Sequence, residues 1–390
     1  MDNFTFSNPT KIIFGSGTEN LVGKEASAYG KNILLHYGGG SIKRTGLYDR
    51  VVKSLKDAGL SIIELPGVKP NPRLSLVREG IEICRKQNID FVLAVGGGSS
   101  IDSAKAIAMG TLYDGDVWDI FIGKHTPTKA LPVGTVLTIP AAGSEASTAS
   151  VITNEDGWYK IGFNSEIIYP RFSILNPELA FTVPKYQAAC GAADIMAHLM
   201  ERYFTKTKNV ELTDRMIEAV MKTIINNIPK VLKEPRNYDA WAEIMWGGTI
   251  AHNNLLNTGR TGDWGSHAIE HEISAIYDVP HGAGLAVVFP AWMKYVYKTD
   301  LERFCQFAAR VWNVDQSFFS PEDTVIEGIS RFESFLSSIG LPVTLKQLGV
   351  TSDRLEEMAD KATGGDRYTI GEFVRLKKSD VLNILNLANK

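Results

Sequence analysis

Five of the seven histidines in this 390-residue chain fall between His198 and His281. Asp194 and His198 stand four apart in a segment of helical periodicity, so their side chains share one face. His267 and His271 repeat that spacing on a second predicted helix, and His281 follows Pro280 in the next loop. A carboxylate with several imidazoles suits a borderline divalent cation, Fe2+ or Zn2+. Single helical histidines are commonly structural. Two such pairs and a third histidine in a His-poor chain favour the metal. His252 lies nearby in sequence and takes a supporting place only. A rival pattern overlaps: His267-Ala268-Ile269-Glu270-His271 matches the HxxEH arrangement of inverted zinc peptidases, with Glu270 as general base. That reading leaves Asp194, His198 and His281 unused.

A second chemistry-bearing stretch is Gly96-Gly97-Gly98-Ser99-Ser100-Ile101-Asp102, set between a predicted strand and a predicted helix. Missing side chains let backbone approach an anion, and a helix start offers unpaired N–H groups and a positive dipole end. The alternative is a plain turn before a helix capped by Ser99, Ser100 or Asp102. Lys105, one turn on, adds positive charge or is a solvated helix residue. Gly38-Gly39-Gly40-Ser41 follows an earlier strand in the same manner. Dinucleotide folds that select NAD place an acid after such a strand. Here Gly38, Ser41, Lys43 and Arg44 leave space and positive charge, which inclines the reading toward the 2′-phosphate of NADP(H). A surface turn accounts for the same residues.

These residues need elements to hold them. Strand-like runs occur at 32–37, 61–65, 90–95, 131–140 and 172–175, with helical patterns following the first at Tyr48–Gly59 and the second at Leu74–Gln87. Strands alternating with helices point to a parallel sheet with crossover helices. From Pro184 onward long helical patterns dominate: 188–205, 213–232, 239–256, 265–276, 301–312 and 325–339, with stops at Pro235 and Pro280. The expected organisation is an α/β domain over residues 1–180 and an all-helical domain over 181–390. Composition agrees with a globular chain, at 44% hydrophobic and 22% charged residues. A net charge of −3 provides no generic drive toward nucleic acid. Three scattered cysteines make neither a disulfide framework nor a thiolate zinc site. The N-terminus lacks a secretory pattern and no apolar run approaches bilayer length, so a cytoplasmic protein without membrane contact is expected.

Taken together, Asn8–Gly15, Gly96–Lys105, Ile139–Glu145, Gly262-Asp263-Trp264, His267, His271 and Val279–Gly282 resemble the iron-containing, metal-dependent alcohol dehydrogenase family, in its butanol dehydrogenase-like branch. The resemblance spans essentially the whole chain. It implies an N-terminal dinucleotide-binding (Rossmann-like) α/β domain, an all-α C-terminal metal-binding domain, and a homodimer. It implies Asp194, His198, His267 and His281 as metal ligands, with His271 close by as the group that moves a proton. It places the cofactor diphosphate at Gly96, Gly97, Gly98 and Ser99, with Asp102 toward the nicotinamide. Thr138, Ser144 and Lys160 match further cofactor contacts. The Pro140-Ala141-Ala142-Gly143-Ser144 loop is shorter than in many relatives. The implied reaction is hydride transfer between NAD(P)(H) and a short primary alcohol or aldehyde.

Overall fold

Apolar β-branched runs make the strands, and the breaks between them set the crossovers. The computed structural model describes residues 1–390. Its strands are β1 Lys11–Phe14, β2 Asn32–Gly38, β3 Ser61–Val68, β4 Phe91–Gly96, β5 Val133–Leu137, β6 Ala149–Asn154, β7 Tyr159–Asn164 and β8 Phe172–Leu175. The longer helices begin with α1 Leu47–Asp57, α2 Leu74–Lys86, α3 Gly98–Thr111, α4 Lys185–Tyr203, α5 Glu211–Lys233 and α6 Tyr238–His252. They continue with α7 Gly265–Tyr277, α8 His281–Val296, α9 Leu301–Trp312, α10 Pro321–Ser338, α11 Leu355–Thr363 and α12 Lys378–Ala388. No helix is long and apolar enough to cross a membrane.

The chain forms two compact units. The α/β unit comprises Ser7–Val183 with Pro235–Asn253, and the helical unit comprises Met1–Phe6, Pro184–Glu234 and Asn254–Lys390.

In the α/β unit six parallel strands run in the order β1-β8-β5-β4-β2-β3, and β6 and β7 form a separate antiparallel pair. Central strands β4 and β8 are buried on both faces, as expected of mostly apolar strands in a parallel sheet. Ile33, Leu35, Tyr37, Phe91, Leu93, Val95 and Phe172 line one face and pack with Val51 and Leu55 of α1. On the other face, His36 of β2 meets Ser103 of α3 at 2.8 Å. From β2 the chain moves outward to β3, then returns to the opposite flank of β2 as β4. The order therefore reverses between β2 and β4, whose registered pair Tyr37 and Val95 stands near both strand ends. Gly38–Gly40 and Gly96–Gly98 emerge at this reversal. Ligands of open α/β sheets bind at that position.

Residues 235–253, expected in the helical half, belong to the α/β unit. Particular contacts draw α6 there. Thr249 Oγ1 donates to Glu145 Oε1 at 2.6 Å, and Trp246 meets Phe14 edge-on at 6.3 Å. The helical unit builds its core on Phe204, stacked on Phe304 at 4.5 Å and packed with Trp292 and Phe307, each at 5.4 Å. The apolar residues Leu285, Ala286, Val287, Val288 and Phe289 form the middle of α8, which passes through Pro290 with its core positions buried. Burial of a helical face outweighs the lost hydrogen bond there.

Candidate active site

The helical unit assembles the histidine cluster from three helices. On α4, Asp194, His198 and Glu201 follow at i, i+4 and i+7, all buried on one face. Helix α7 presents His267 and His271, and α8 opens with His281. Asp194, His267 and His281 each bring one ligand atom within 4.8 Å of the others. His281 Nε2 lies 3.8 Å from Asp194 Oδ1. His198 Nδ1 is 3.5 Å from the same oxygen, and its ring stacks on that of His267 at 4.9 Å. The half-buried His271 ring sits 5.6 Å from that of His281.

Glu201 was not singled out by the sequence, although its place three residues after His198 puts it on the ligand face. It is fully buried. Its Oε1 accepts from His267 N at 3.0 Å and from His267 Nδ1 at 2.7 Å, while Oε2 accepts from Trp264 N at 2.5 Å. This one carboxylate holds the start of α7 and fixes the His267 ring. Trp264 precedes the helix with φ +67°, and its ring lies 5.2 Å from that of His267 and under the Arg202 guanidinium at 4.8 Å. Asp263 accepts from the backbone N–H groups of Gly265, Phe373 and Glu372. Burial, reinforced by the charge of Glu201, pushes its carboxyl up to about 7.

The donor set fits a divalent cation. With Nδ1 committed to Glu201, the buried Nε2 of His267 has no hydrogen-bond partner. A buried imidazole nitrogen so placed, beside a carboxylate and a second histidine, is the arrangement a metal completes. Glu270 takes no part as a general base of an HxxEH site. It is fully buried, and its Oε2 accepts from His281 Nδ1. The peptidase reading is thereby overturned, because the base it needs is committed to a histidine rather than open to a water.

The α/β unit carries the glycine turns. Helix α3 starts after Gly97 with no side-chain cap, so Ser99, Ser100 and Asp102 do not serve as the cap that a plain turn would have. The backbone is closely fitted: a Cβ at Gly98 would stand 2.9 Å from Ala142 Cβ, and one at Gly96 would stand 2.4 Å from Ser100 Oγ. An uncapped helix start behind a glycine turn, at the sheet's reversal point, fits a dinucleotide diphosphate.

Asp102 is buried, accepting from Ser144 Oγ at 2.5 Å and from Val151 N at 3.0 Å. Lys105 is neither solvated nor aimed at an open turn. Its ammonium is fully buried and donates to the carbonyls of Ser144, Ser147 and Ala149 at 2.7, 2.8 and 2.9 Å. Burial brings it down to about 8, against the opposing pull of Asp102 and Glu145. Burial likewise raises the carboxyls of Asp102 and Glu145. Thr138 follows β5, with its N–H donating to Gly96 O at 3.0 Å. Lys160 on β7 is buried and donates to Asn71 Oδ1 at 3.0 Å.

Gly38 ends β2, and exposed Ser41 begins a four-residue helix with Lys43. An acid does stand near this loop, but it comes from the neighbouring strand. Glu64 of β3 accepts from the hydroxyls of Tyr37 at 2.6 Å and Tyr48 at 2.5 Å. Lys43 Nζ is 3.7 Å from Glu64 and 4.5 Å from the Tyr48 ring centre. The positive charge read from the loop is therefore partly balanced across the sheet.

Comparison with known proteins accords with this geometry. Residues 9–177 match the iron-containing alcohol dehydrogenase model, and residues 188–389 match the C-terminal model of the Fe-containing alcohol dehydrogenase family. The chain is 48% identical over 385 residues to probable NADH-dependent butanol dehydrogenase 1 of Bacillus subtilis, covering 99% of each protein. It is 35% identical to the NADPH-dependent aldehyde reductase YqhD of Escherichia coli, covering 95% of this chain and 96% of that one. The crystal structure of NADH-dependent butanol dehydrogenase A from Thermotoga maritima matches with a TM-score of 0.96 at 42% identity, covering 100% of this chain and 99% of that one. With both family models matched and near-complete coverage of its relatives, the chain belongs to the iron-containing alcohol dehydrogenase family.

Proposed function

We propose that the protein is a metal-dependent alcohol dehydrogenase and aldehyde reductase, moving hydride between NAD(P)(H) and a short primary alcohol or aldehyde such as butanol and butanal. The observation that carries this reading is the convergence of Asp194, His267 and His281 within 4.8 Å, with a buried His267 Nε2 that lacks a partner. A bound Fe2+ or Zn2+ supplies Lewis-acid polarisation of the substrate oxygen, and the nicotinamide supplies or accepts the hydride. In this reading Asp194, His198, His267 and His281 hold the cation. Glu201 keeps His267 facing it through the Nδ1 contact at 2.7 Å. The His271 imidazole passes the proton between substrate oxygen and solvent.

The α/β unit holds the cofactor. The turn Gly96-Gly97-Gly98-Ser99 takes the diphosphate, Gly38 and Ser41 border the adenosine end, and Thr138, Ser144 and Lys160 complete the binding surface. Buried Asp102 and Lys105 act one layer behind, holding the Ser144 segment in place. A relative at 48% identity is named for NADH and one at 35% for NADPH, so both cofactors belong to the reading. A cytoplasmic homodimer completes the proposal; the dimer rests on the family resemblance, and light scattering on the purified chain tests it.

The decisive assay is butanal with NADH and with NADPH on metal-loaded protein, followed by loss of near-ultraviolet absorbance. Turnover that stops on chelation and returns with Fe2+ or Zn2+ is the expected outcome. No turnover of any short aldehyde with either cofactor would sink the reading.

A further inference from the structure

Glu270 is fully buried in α7, and its Oε2 accepts from His281 Nδ1. A carboxylate removed from water needs a strong donor, and the imidazole N–H is one. That bond sets the tautomer: with the proton on Nδ1, the lone pair of His281 is on Nε2. Nε2 is the atom that stands 3.8 Å from Asp194 Oδ1.

The space for this carboxyl is provided by Gly284. This residue lies inside α8, three positions after His281, so the two share a face. A Cβ at position 284 would come 2.5 Å from Glu270 Oε1 and 2.7 Å from its Cγ. Glycine is an unfavourable residue in a helix interior, and the backbone here needs no positive φ. The close approach of Glu270 gives the reason for it.

We infer that Glu270 is a positioning residue for the metal centre: its carboxylate fixes the tautomer and heading of His281, and Gly284 is the gap in α8 that admits it. The inference rests on reading Asp194, His267 and His281 as ligands. Glu270 does for His281 what Glu201 does for His267, so each imidazole is backed by its own carboxylate. Such backing partners orient a ligand and raise its basicity.

The test uses the full chain, stripped of metal and titrated with Zn2+ against a chromogenic chelator. Glu270→Met keeps the volume but removes charge and acceptor. It should lower Zn2+ affinity by about 10- to 100-fold, while the metal-free protein melts at the same temperature or higher. Glu270→Gln, which keeps an acceptor oxygen, should recover part of that loss. Gly284→Ala changes neither side chain's chemistry, yet should weaken Zn2+ binding by displacing the carboxyl. With Co2+ as probe, the visible absorption should change in Glu270→Met, because the ligand field changes. His267→Ala serves as the reference. If it loses affinity while Glu270→Met and Gly284→Ala stay within about twofold of the parent, Glu270 has no positioning role. If His267→Ala also keeps parental affinity, the ligand reading itself fails and the inference falls with it. Should one of the two test variants not fold, the other decides.

Discussion

At the scale of single residues, the proposed function gives His267 and His271 distinguishable tasks. His267 offers an unpartnered buried nitrogen, whereas His271 is half-buried beside His281. His267→Ala should therefore remove both the metal and at least about 100-fold of activity, as expected where a metal supplies the catalytic field. His271→Ala should retain the metal and slow turnover by about 10²- to 10⁴-fold, the range of a lost acid–base group. Metal analysis beside kcat separates the two, and an emptied site in His271→Ala would reassign that residue as a ligand. His36 has an unrelated role. It is fully buried, with Nδ1 donating to Leu65 O and Nε2 accepting from Ser103 Oγ, each at 2.8 Å. Burial lowers its pKa from 6.5 to about 4. A proton is then bound more readily by the unfolded chain than by the folded one. The contribution of His36 to the stability of the α/β unit is full above pH 6.5 and declines as pH falls from 6.5 toward 4, by up to about 3 kcal/mol. Urea unfolding of parent and His36→Gln at pH 7.5 and pH 5 checks this. The variant should lose less of its own stability across the interval.

At the scale of elements, α3 does more than follow the proposed dinucleotide turn. Its Lys105 ties three carbonyls of the 144–149 segment, and its Asp102 takes Ser144 Oγ and Val151 N, so the segment leading into β6 is fastened to the helix from below. Lys105→Met should leave those carbonyls without their buried donor, at about 1–3 kcal/mol for each group left unsatisfied. The expected outcome is a lower urea midpoint together with a larger rise in KM for the dinucleotide than fall in kcat. An unchanged KM would show that the segment keeps its shape without the ammonium. Asp102 and Lys105 together hold Ser144, the last residue of the Pro140–Ser144 loop, by side-chain hydrogen bonds.

At the scale of the whole molecule, the proposed reading gives the two units two different ligands, and their stabilities should then respond separately. A metal at 100 times its Kd adds about 2.7 kcal/mol to the fold that binds it. Chelation should lower the melting temperature and loosen hydrogen-exchange protection in α4, α7 and α8, which carry the proposed ligands, while amides of β2 and β4 stay protected. A dinucleotide should have the reverse effect, protecting the start of α3 and the ends of β2 and β4. Equal loosening of both units on chelation would contradict the assignment of the metal to the helical unit.

Much of this was legible in the sequence, because it depends on local spacing. Strands β2, β4 and β8 are short, mostly apolar runs, α9 follows its predicted span of Leu301–Trp312, and Asp194 with His198 advertises a helix face. Glycine runs after two strands marked the turns. What only the tertiary structure decided involves partners distant in the chain. Helix α6 looks like its helical neighbours, but Thr249 and Trp246 find Glu145 and Phe14 more than 100 residues upstream. Lys105 reads as a surface lysine until three carbonyls from β6 and its approach enclose it. Glu64 lies on a different strand from the loop whose charge it balances. Glu270 sits inside a five-residue pattern that suits a peptidase base, and its meaning changed once α8 brought His281 Nδ1 to it. Local periodicity identifies which residues share a face. Which charge is buried, and against what, is settled only when separate elements pack, because desolvation acts on the group's final surroundings and not on its neighbours in sequence.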